Sequence, residues 1–282
     1  MESHDLRIFK HVAELQSVSK AAERLGYVQP NVSQRIKSLE DELGVRLLLR
    51  NNRGVTLTEE GKTLLEYSNQ IILLMDEVKS LINPNKWRES LIIGAPQTIS
   101  AVKIPRLFSS FLREHHHIDV KVRTSDKQQL QEMLSYGEVD GLFIHGTYHH
   151  SQFETVYSYF ENIVLISPKD APFHKQEHTL IVNSDIHCIY RNKTLDYSKI
   201  HHFRDPVIME FDSLEAILQA VHDGLGISII PADVAFRREE SPTIQYEELP
   251  ETIKVDFIIK PRKQHPQSLK KFIQFLQRTF SQ

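Results

Sequence analysis

The sequence predicts a multi-domain α/β protein with a small, mainly helical N-terminal domain, one long connecting helix and a larger two-lobed α/β domain. Three observations support this prediction. Apolar residues repeat at helical spacing over the first 43 residues, and a helical pattern without proline then runs from 58 to about 81. Beyond it, short apolar segments typical of strands alternate with helical segments, as in α/β sheets. A length of 282 residues suits two or three folded units.

Composition predicts a soluble, cytoplasmic protein. The first twenty residues carry charges throughout and do not resemble a signal peptide, and the longest apolar runs are too short to span a bilayer. Cys188 is the only cysteine, so an intramolecular disulfide is excluded and a reducing compartment is expected. The formal net charge is −3, so a polyanion would have to meet basic residues concentrated on one surface.

The first two predicted helices are short and amphipathic. An apolar stripe at helical spacing defines the first helix, and Ser19 is the expected N-cap of a second helix that ends near Leu25. Ala21 and Ala22 are small enough to let the two helices cross closely.

A third helix is predicted from about Pro30, which suits a first helical turn, to Gly44, which suits a C-cap. Its apolar face consists of Val32, Ile36, Leu39 and Leu43. Its other face carries hydrogen-bonding residues: Gln29, Asn31, Ser33, Gln34, Arg35 and Lys37. This arrangement is typical of a helix-turn-helix, whose second helix enters the major groove of DNA. Any amphipathic helix also has a solvated polar face, so the helix alone leaves both interpretations open.

A strand, a turn and a second strand are predicted at 47–50, 51–54 and 55–57. Arg50 and Arg53 would lie near the tip of this hairpin, which would act as a wing that grips the phosphate backbone. Thr58 is the expected cap of the long helix that follows.

The string AAERLGYVQPNVSQRIKSLEDELGVRLLLRNNRGVTLTEEG resembles the DNA-binding half of the LysR-type transcription regulators. Val28 departs from the family pattern, which has Ser or Thr as the N-cap of the recognition helix, and this should weaken the helix start by roughly 1 kcal/mol. The resemblance implies a winged helix-turn-helix whose DNA-binding residues are Ser19, Gln29, Pro30, Asn31, Ser33, Gln34, Arg35, Lys37, Arg50 and Arg53. It also implies a homo-oligomer on double-stranded promoter DNA.

The long helix carries an apolar seam with the 4-3-4 spacing of a coiled coil. The seam consists of Leu64, Ser68, Ile71, Met75, Val78 and Ile82. The expected partner is the same helix of a second subunit, which the resemblance also implies, and packing onto the chain's own C-terminal domain is the alternative. Dimer and tetramer both stay open. Dimerisation is therefore predicted at Leu64, Ile71, Met75, Val78 and Ile82.

The C-terminal part resembles the LysR effector domain, which is similar in fold to periplasmic solute-binding proteins. The most recognisable stretch runs from Glu210 to Pro231, whereas the stretch from Lys169 to Tyr197 is expected to be irregular. The alternation of strands and helices predicts parallel sheets. The predicted division is a DNA-binding domain at 1–58, a linker helix and hinge at 59–88, a first lobe at 89–163 with 265–282, and a second lobe at 164–264.

A small carboxylate or another polar metabolite is expected in the cleft between the lobes. In open α/β sheets, ligands lie beyond the carboxyl ends of strands, at helix N-termini. The segments that meet this description are Gln97, Thr98, Ile99 and Ser100, then Ile144, His145 and Gly146, and finally Phe211, Asp212 and Ser213. Plain helix capping is an equal alternative for Thr98, Ser100 and Ser213.

No metal site, cofactor or catalytic constellation is predicted. The fifteen histidines include runs at 115–117, 149–150 and 201–202, which lack the i,i+4 spacing of helical metal ligands. A sensor built around His145 stays possible, and Cys188 is expected to be a buried structural thiol. Two other classes compete with a regulator: a solute-binding protein with a vestigial N-terminal module, and an enzyme that uses the cleft.

Overall fold

The structure is a computed structural model that describes residues 1–51, 54–83, 86–148, 151–170, 179–235, 243–262 and 264–279. Within these residues it contains ten α-helices and ten β-strands. None of the helices in this part of the chain is both long enough and apolar enough to cross a membrane.

The N-terminal domain is built on three helices: α1 (Ser3–Leu15), α2 (Val18–Leu25) and α3 (Gln29–Leu43). Their apolar faces meet in one core, and Ala21 and Ala22 are buried where α2 meets its neighbours, as expected. Leu43 was predicted to lie on the apolar face of α3, but it is exposed because α3 extends one turn beyond this core.

The prediction that Ser19 caps α2 was wrong. Ser17 is the N-cap, and its hydroxyl accepts a hydrogen bond from the backbone N–H of Lys20. The cap lies two residues earlier because Val18 is buried and so belongs to the apolar face of the helix.

The predicted hairpin is present as β1 (Leu48–Asn51) and β2 (Gly54–Leu57), which pair antiparallel. The backbone N–H of Val55 donates to the carbonyl of Gln16 at 3.0 Å, which ties the hairpin to the turn between α1 and α2. Gly54 has φ +132°, and a Cβ there would come within 2.6 Å of the Gln16 carbonyl oxygen, so glycine is required.

The long helix α4 (Glu59–Ile82) begins where the sequence places it. The hydroxyl of Thr58 accepts a bond from the N–H of Gly61 and donates to the carbonyl of Arg46 at 2.8 Å. A Cβ at Gly61 would lie 2.1 Å from the Leu47 carbonyl oxygen, so only glycine lets α4 pass this close to the hairpin.

The larger domain contains a six-stranded sheet of mixed direction. Its strands, in spatial order, are β4 (Ile118–Arg123), β3 (Glu89–Gly94), β5 (Gly141–His145), β10 (Ile244–Ile259), β6 (Glu154–Pro168) and β9 (Ser228–Pro231). A second sheet pairs β7 (Leu180–Asn183) with β8 (Ile208–Phe211). The prediction of parallel sheets holds for β3, β4 and β5 and for β7 with β8, whereas β10 and β6 run antiparallel.

The helices of the larger domain are α5 (Gln97–Glu114), α6 (Lys127–Tyr136), α7 (Ile189–Ile200), α8 (Leu214–His222), α9 (Ala232–Ala235) and α10 (Gln267–Thr279). The expectation of an irregular stretch up to Tyr197 was wrong, because α7 begins at Ile189. Only four of the twelve residues of α7 are buried, so its sequence shows little apolar periodicity.

Two lobes follow from the distribution of the buried residues. Lobe I contains β3, β4, β5, α5, α6 and α10, and lobe II contains β7, β8, β9, α7, α8 and α9. Both long strands, β6 and β10, run through both lobes, so a boundary at 163/164 divides β6. Val255, Phe257 and Ile259 of β10 lie in the core of lobe I, and we therefore propose that lobe I includes 255–259 in addition to the ranges expected from the sequence.

Candidate functional site

The surface of α3 that faces away from the domain core is polar and open to solvent. Val32, Ile36 and Leu39 are buried against α1 and α2. Because an α-helix turns by about 100° per residue, the middle of the opposite surface is formed by Pro30, Gln34 and Lys37. All three are exposed. This surface has the chemistry of a helix that reads base edges.

The remaining predicted residues of α3 flank this surface on two sides. Gln29 and Ser33 lie on one side, where the Gln29 amide donates to the Ser33 hydroxyl at 2.7 Å. Asn31 and Arg35 lie on the other side, towards α1. The Arg35 guanidinium forms an ion pair with Asp5 of α1 at 2.8 Å, so Arg35 is oriented by a residue that sequence reasoning missed.

The start of α3 has the backbone of an N-cap without the capping side chain. Val28 is extended, with φ −81° and ψ 142°, and its carbonyl accepts a bond from the N–H of Asn31 at 3.0 Å. The side chain of valine has no hydrogen-bond acceptor, so the N-cap of α3 lacks the side-chain hydrogen bond that Ser or Thr would supply at this position.

Glu40 positions the hairpin relative to the recognition helix. Its carboxylate accepts hydrogen bonds from the backbone N–H groups of Leu47 and Leu48, at 2.8 and 3.2 Å. This role of Glu40 was not predicted from the sequence. The sequence signal is a carboxylate on the apolar side of α3, seven residues before Leu47, which directly precedes β1.

The predicted contact residues outside α3 lie on separate elements. Arg50 is exposed on β1, opposite Val55 of β2. Ser19 is exposed in the first turn of α2. Arg53 lies outside the described residues.

The outer surface of α4 carries an apolar stripe that differs from the predicted seam. Of the predicted residues, Ile71, Val78 and Ile82 are exposed, Leu64 and Met75 are half-buried, and Ser68 is fully buried against the chain itself. The exposed stripe is Tyr67, Ile71, Leu74, Val78 and Leu81, which keeps the 4-3-4-3 spacing. One face of α4 therefore packs on its own chain, and a second face is left open.

A cavity of about 340 Å³ lies between the two lobes. Four helices begin at its wall, and their first residues Gln97, Lys127, Ile189 and Leu214 all line it. Helix N-termini carry free backbone N–H groups and the positive end of the helix dipole. The cavity therefore suits a small anion or another polar molecule that accepts hydrogen bonds.

Half of the predicted effector residues line this cavity: Gln97, Thr98, Ile144, His145 and Asp212. The other five, Ile99, Ser100, Gly146, Phe211 and Ser213, are not part of its lining. Ile99 is buried in the core of lobe I, and the Ser100 hydroxyl donates to the Ala95 carbonyl at 3.1 Å. Ser213 caps α8 through the N–H of Ala216, which is the alternative that the sequence left open.

The lining also includes two segments that sequence reasoning missed. Residues 124–127 follow β4, and residues 184, 185 and 187–191 follow β7. The rule that found the other segments, a helix start beyond the carboxyl end of a strand, applies to both. In the segment at 124–127, Asp126 is the residue that indicates a helix start. Its carboxylate accepts a hydrogen bond from the N–H of Gln129 and so caps α6.

Three polar side chains are buried together at the cavity wall where the lobes meet. The Tyr190 hydroxyl of lobe II donates to the Glu161 carboxylate of β6 and lies 3.3 Å from Nε2 of His145 in lobe I. Nε2 of His145 is also 3.6 Å from Glu161. Burial, followed by the neighbouring Glu161 charge, raises the pKa of Tyr190 well above its usual value. Tyr190 is therefore a neutral donor, and the three side chains hold lobe II against lobe I.

Charged groups of both signs face the cavity. Burial lowers the pKa of the Lys127 ammonium, with the Asp185 carboxylate acting in the opposite direction. The Arg191 guanidinium is paired with Glu210 at 2.7 Å and donates to the Asn183 carbonyl, so it braces the wall. Lys127 also lies at the N-terminus of α6, on the cavity wall.

Cys188 lines the cavity as the N-cap residue of α7. Burial raises the pKa of its thiol, so it is less reactive than an exposed cysteine. Within the described residues, no three histidine, cysteine or carboxylate side chains are grouped as a metal site would require. The histidines at 149–150 lie outside that part of the chain.

Two family models together match nearly the whole chain. Residues 3–62 match the bacterial regulatory helix-turn-helix of the lysR family, and residues 84–281 match the LysR substrate binding domain. The chain belongs to the LysR family of transcription regulators. The LysR helix-turn-helix match covers α1 to α3, both hairpin strands and the start of α4, and the LysR substrate-binding match covers both lobes.

Related LysR regulators match over most of their length. The uncharacterized HTH-type transcriptional regulator YusT of Bacillus subtilis is 40% identical over 92% of this chain and 90% of its own length. The regulator SoxR of an Arthrobacter strain is 37% identical over 89% of this chain and 87% of its own. The family is one of DNA-binding regulators with an effector-binding domain, and not of enzymes.

Solved structures of LysR regulators share the fold. A full-length OxyR variant from Pseudomonas aeruginosa has a TM-score of 0.73 at 22% identity, covering 98% of this chain and 95% of that one. CbnR in complex with its target DNA has a TM-score of 0.66 at 22% identity, with 99% of each chain covered. The winged helix-turn-helix, the linker helix and the two-lobed domain are therefore those of the family fold.

Proposed function

We propose that this LysR regulator acts in the cytoplasm as a homo-oligomer, that it reads a dyad-symmetric promoter site, and that a small effector binds in the cavity between its lobes. The observation that carries the effector proposal is the convergence of four helix N-termini and Lys127 on one cavity.

DNA contact is assigned to the exposed surface of α3 and to the hairpin. Gln29, Gln34 and Lys37 would meet base edges in the major groove, where amide and ammonium groups read the donor and acceptor pattern. Arg50 on the hairpin would meet the phosphate backbone, which fixes position without reading sequence. Two such surfaces related by a two-fold axis would recognise half-sites separated by about one or more helical turns of DNA.

Oligomerisation is assigned to the exposed stripe of α4. A helix of 24 residues with five apolar side chains open to solvent at coiled-coil spacing is suited to pack on the same stripe of a second subunit. The proposed contact residues are Tyr67, Ile71, Leu74, Val78 and Leu81, with Ile82 at the end of the stripe.

The effector is assigned to the class of small carboxylates and similar polar metabolites. The cavity size is near the lower end of the usual range for small-molecule sites, about 300–1,000 Å³. An anionic group would sit at the starts of α5 and α6, beside Lys127, and the buried His145 and Tyr190 would contact the opposite end of the molecule.

A thermal-shift screen of small carboxylates tests the effector assignment. A ligand present at 100 times its Kd stabilises the protein by about 2.7 kcal/mol, which is readily detected. We expect Lys127→Met to weaken a hit by about tenfold or more, and Lys199→Met, which removes an exposed lysine paired with Asp196, to leave it unchanged. Equal loss in both variants, or none in Lys127→Met, would contradict the assignment.

A further inference from the structure

Helix α6 connects the effector cavity with the DNA-binding half of the molecule. At its N-terminus, Asp126 and Lys127 line the cavity. At its C-terminus, Tyr136 packs against the core of the winged helix-turn-helix. Ten residues at 1.5 Å each make a rod of about 15 Å between these two ends.

The rod is rigid and is fixed to lobe I. Asp126 caps its first turn, and Gly137 closes its last turn in the left-handed conformation, with its N–H bonded to the carbonyls of Met133 and Leu134. Leu130 and Leu134 are buried on lobe I, so a displacement at one end of α6 is transmitted to the other.

Polar contacts hold the C-terminal end of α6 to the linker helix. The buried side-chain amide of Asn69 on α4 donates to the Tyr136 carbonyl at 2.7 Å. The Lys260 ammonium donates to the Ser135 carbonyl at 2.8 Å and forms an ion pair with Glu66 of α4 at 2.6 Å. Lys260 thus joins α6 to α4.

The side-chain amide of Asn69 is only partly satisfied. Its NH₂ group donates to α6, whereas its Oδ1 is buried without a hydrogen-bond partner among the described residues. A Cβ at Gly137 would lie 3.6 Å from the Cβ of Asn69, an ordinary contact distance, so the end of α6 lies directly against α4.

We propose that α6 transmits the state of the effector cavity to the DNA-binding domain, through the contacts of Ser135 and Tyr136 with Asn69 and with the Lys260–Glu66 ion pair. The proposal rests on the cavity being the effector site. A ligand that contacts Lys127 and the first turn of α6 binds one position of the helix better than another, and α4 responds through the other end. Linkage is reciprocal, so DNA binding must also change the cavity.

The reciprocal effect can be measured without knowing the effector. Cys188 is the only cysteine and lines the cavity, so the rate of its alkylation by N-ethylmaleimide reports on the cavity. The full-length protein is compared with and without a saturating DNA site selected from random sequences. We expect DNA to change the rate by about fivefold or more in the wild type, in line with typical allosteric coupling.

Two variants break the link at different contacts. Asn69→Ala removes the donor to Tyr136, and Lys260→Met removes the charge while keeping an aliphatic chain of similar length. We expect both to bind the selected DNA while the effect of DNA on Cys188 falls below about twofold. Arg278→Met is the matched control, because it breaks the exposed ion pair with Glu114 away from α4 and α6, and it should keep the wild-type change.

If DNA changes the Cys188 alkylation rate equally in the wild type, both variants and the control, the proposal is overturned. It is also overturned if the wild type binds DNA and its Cys188 alkylation rate does not change. If the wild type binds no selected DNA, the proposed function itself fails and the coupling fails with it. Restored coupling in Lys260→Arg, which keeps the charge, would support the ion pair as part of the link.

Discussion

Replacing Val28 by serine should supply α3 with the side-chain cap that it lacks. Val28 already has the extended backbone of an N-cap, so a serine hydroxyl there can accept a bond from the N–H of Asn31 without a change in the chain path. Val28 is 63% exposed, so loss of its isopropyl group sacrifices little buried apolar area.

The size of the gain follows from the donors left in the first turn of α3. Pro30 has no N–H, and the N–H of Asn31 is already bonded to the Val28 carbonyl at 3.0 Å. Fewer donors are therefore left unsatisfied than at an ordinary uncapped start. Within the usual range of roughly 0.5–2 kcal/mol for a cap, we expect a gain in stability of about 0.5–1 kcal/mol. For an N-terminal domain that unfolds as its own unit, this raises Tm by about 2–8 °C.

Differential scanning calorimetry of the full-length protein measures this gain, with Val28→Ala as the control that shortens the side chain without adding an acceptor. Val28→Ser should unfold at a higher temperature than both the wild type and Val28→Ala. A Tm for Val28→Ser equal to that of Val28→Ala would show that the missing side-chain cap does not destabilise α3.

Three further changes test other parts of the structure. Glu40→Ala should free the hairpin from α3 and lower the free energy of unfolding, measured in urea, by about 1–3 kcal/mol. Glu40→Gln keeps a hydrogen-bond acceptor and should be destabilised less. A larger loss of stability in Glu40→Gln than in Glu40→Ala would contradict the positioning role. Leu74→Asp should dissociate the oligomer in analytical ultracentrifugation, and an unchanged sedimentation coefficient would exclude the exposed stripe of α4 as the interface. Burial raises the pKa of Asp140 from 3.8 to about 6, so the carboxylate disfavours folding at neutral pH, and the contribution of Asp140 to stability falls as pH rises from about 4 to 6. Asp140→Asn should therefore raise the free energy of unfolding at pH 7.5, measured in urea, by at most about 3 kcal/mol. This gain should vanish below pH 4. An equal gain at both pH values would contradict the raised pKa of Asp140.

The N-terminal domain could be predicted from sequence because its signals are local. Apolar residues at 3.6-residue spacing, Thr58 before a run of helix formers and Gly44 after one each specify structure within a few residues. The contacts of Arg35 with Asp5 and of Glu40 with the hairpin could not be predicted, because they join elements whose packing the local pattern does not give.

The larger domain was harder to predict because its strands are long and cross between the lobes. Residues 154–162 mix polar and aromatic side chains without a regular alternation and lie in a half-exposed stretch of β6, so only its apolar end at 163–166 was recognisable. The lining of the cavity was only partly predicted, because some of its segments also lack a strong apolar pattern. The segments after β3 and β5 were found, whereas the segment at 184–191 follows a short strand and leads into α7, which is largely polar.

Recognition of DNA sequence by α3 of this LysR regulator can be tested by measuring DNA affinity as a function of salt concentration. Binding of the purified protein to a site selected from random DNA is compared with binding to a scrambled site of the same composition, between about 50 and 200 mM salt. If α3 reads base sequence, we expect specific binding to survive at near-physiological salt and to protect two half-sites in a footprint. Equal affinity for both DNAs, lost together as the salt concentration rises, would show contact with phosphate alone and would contradict the claim.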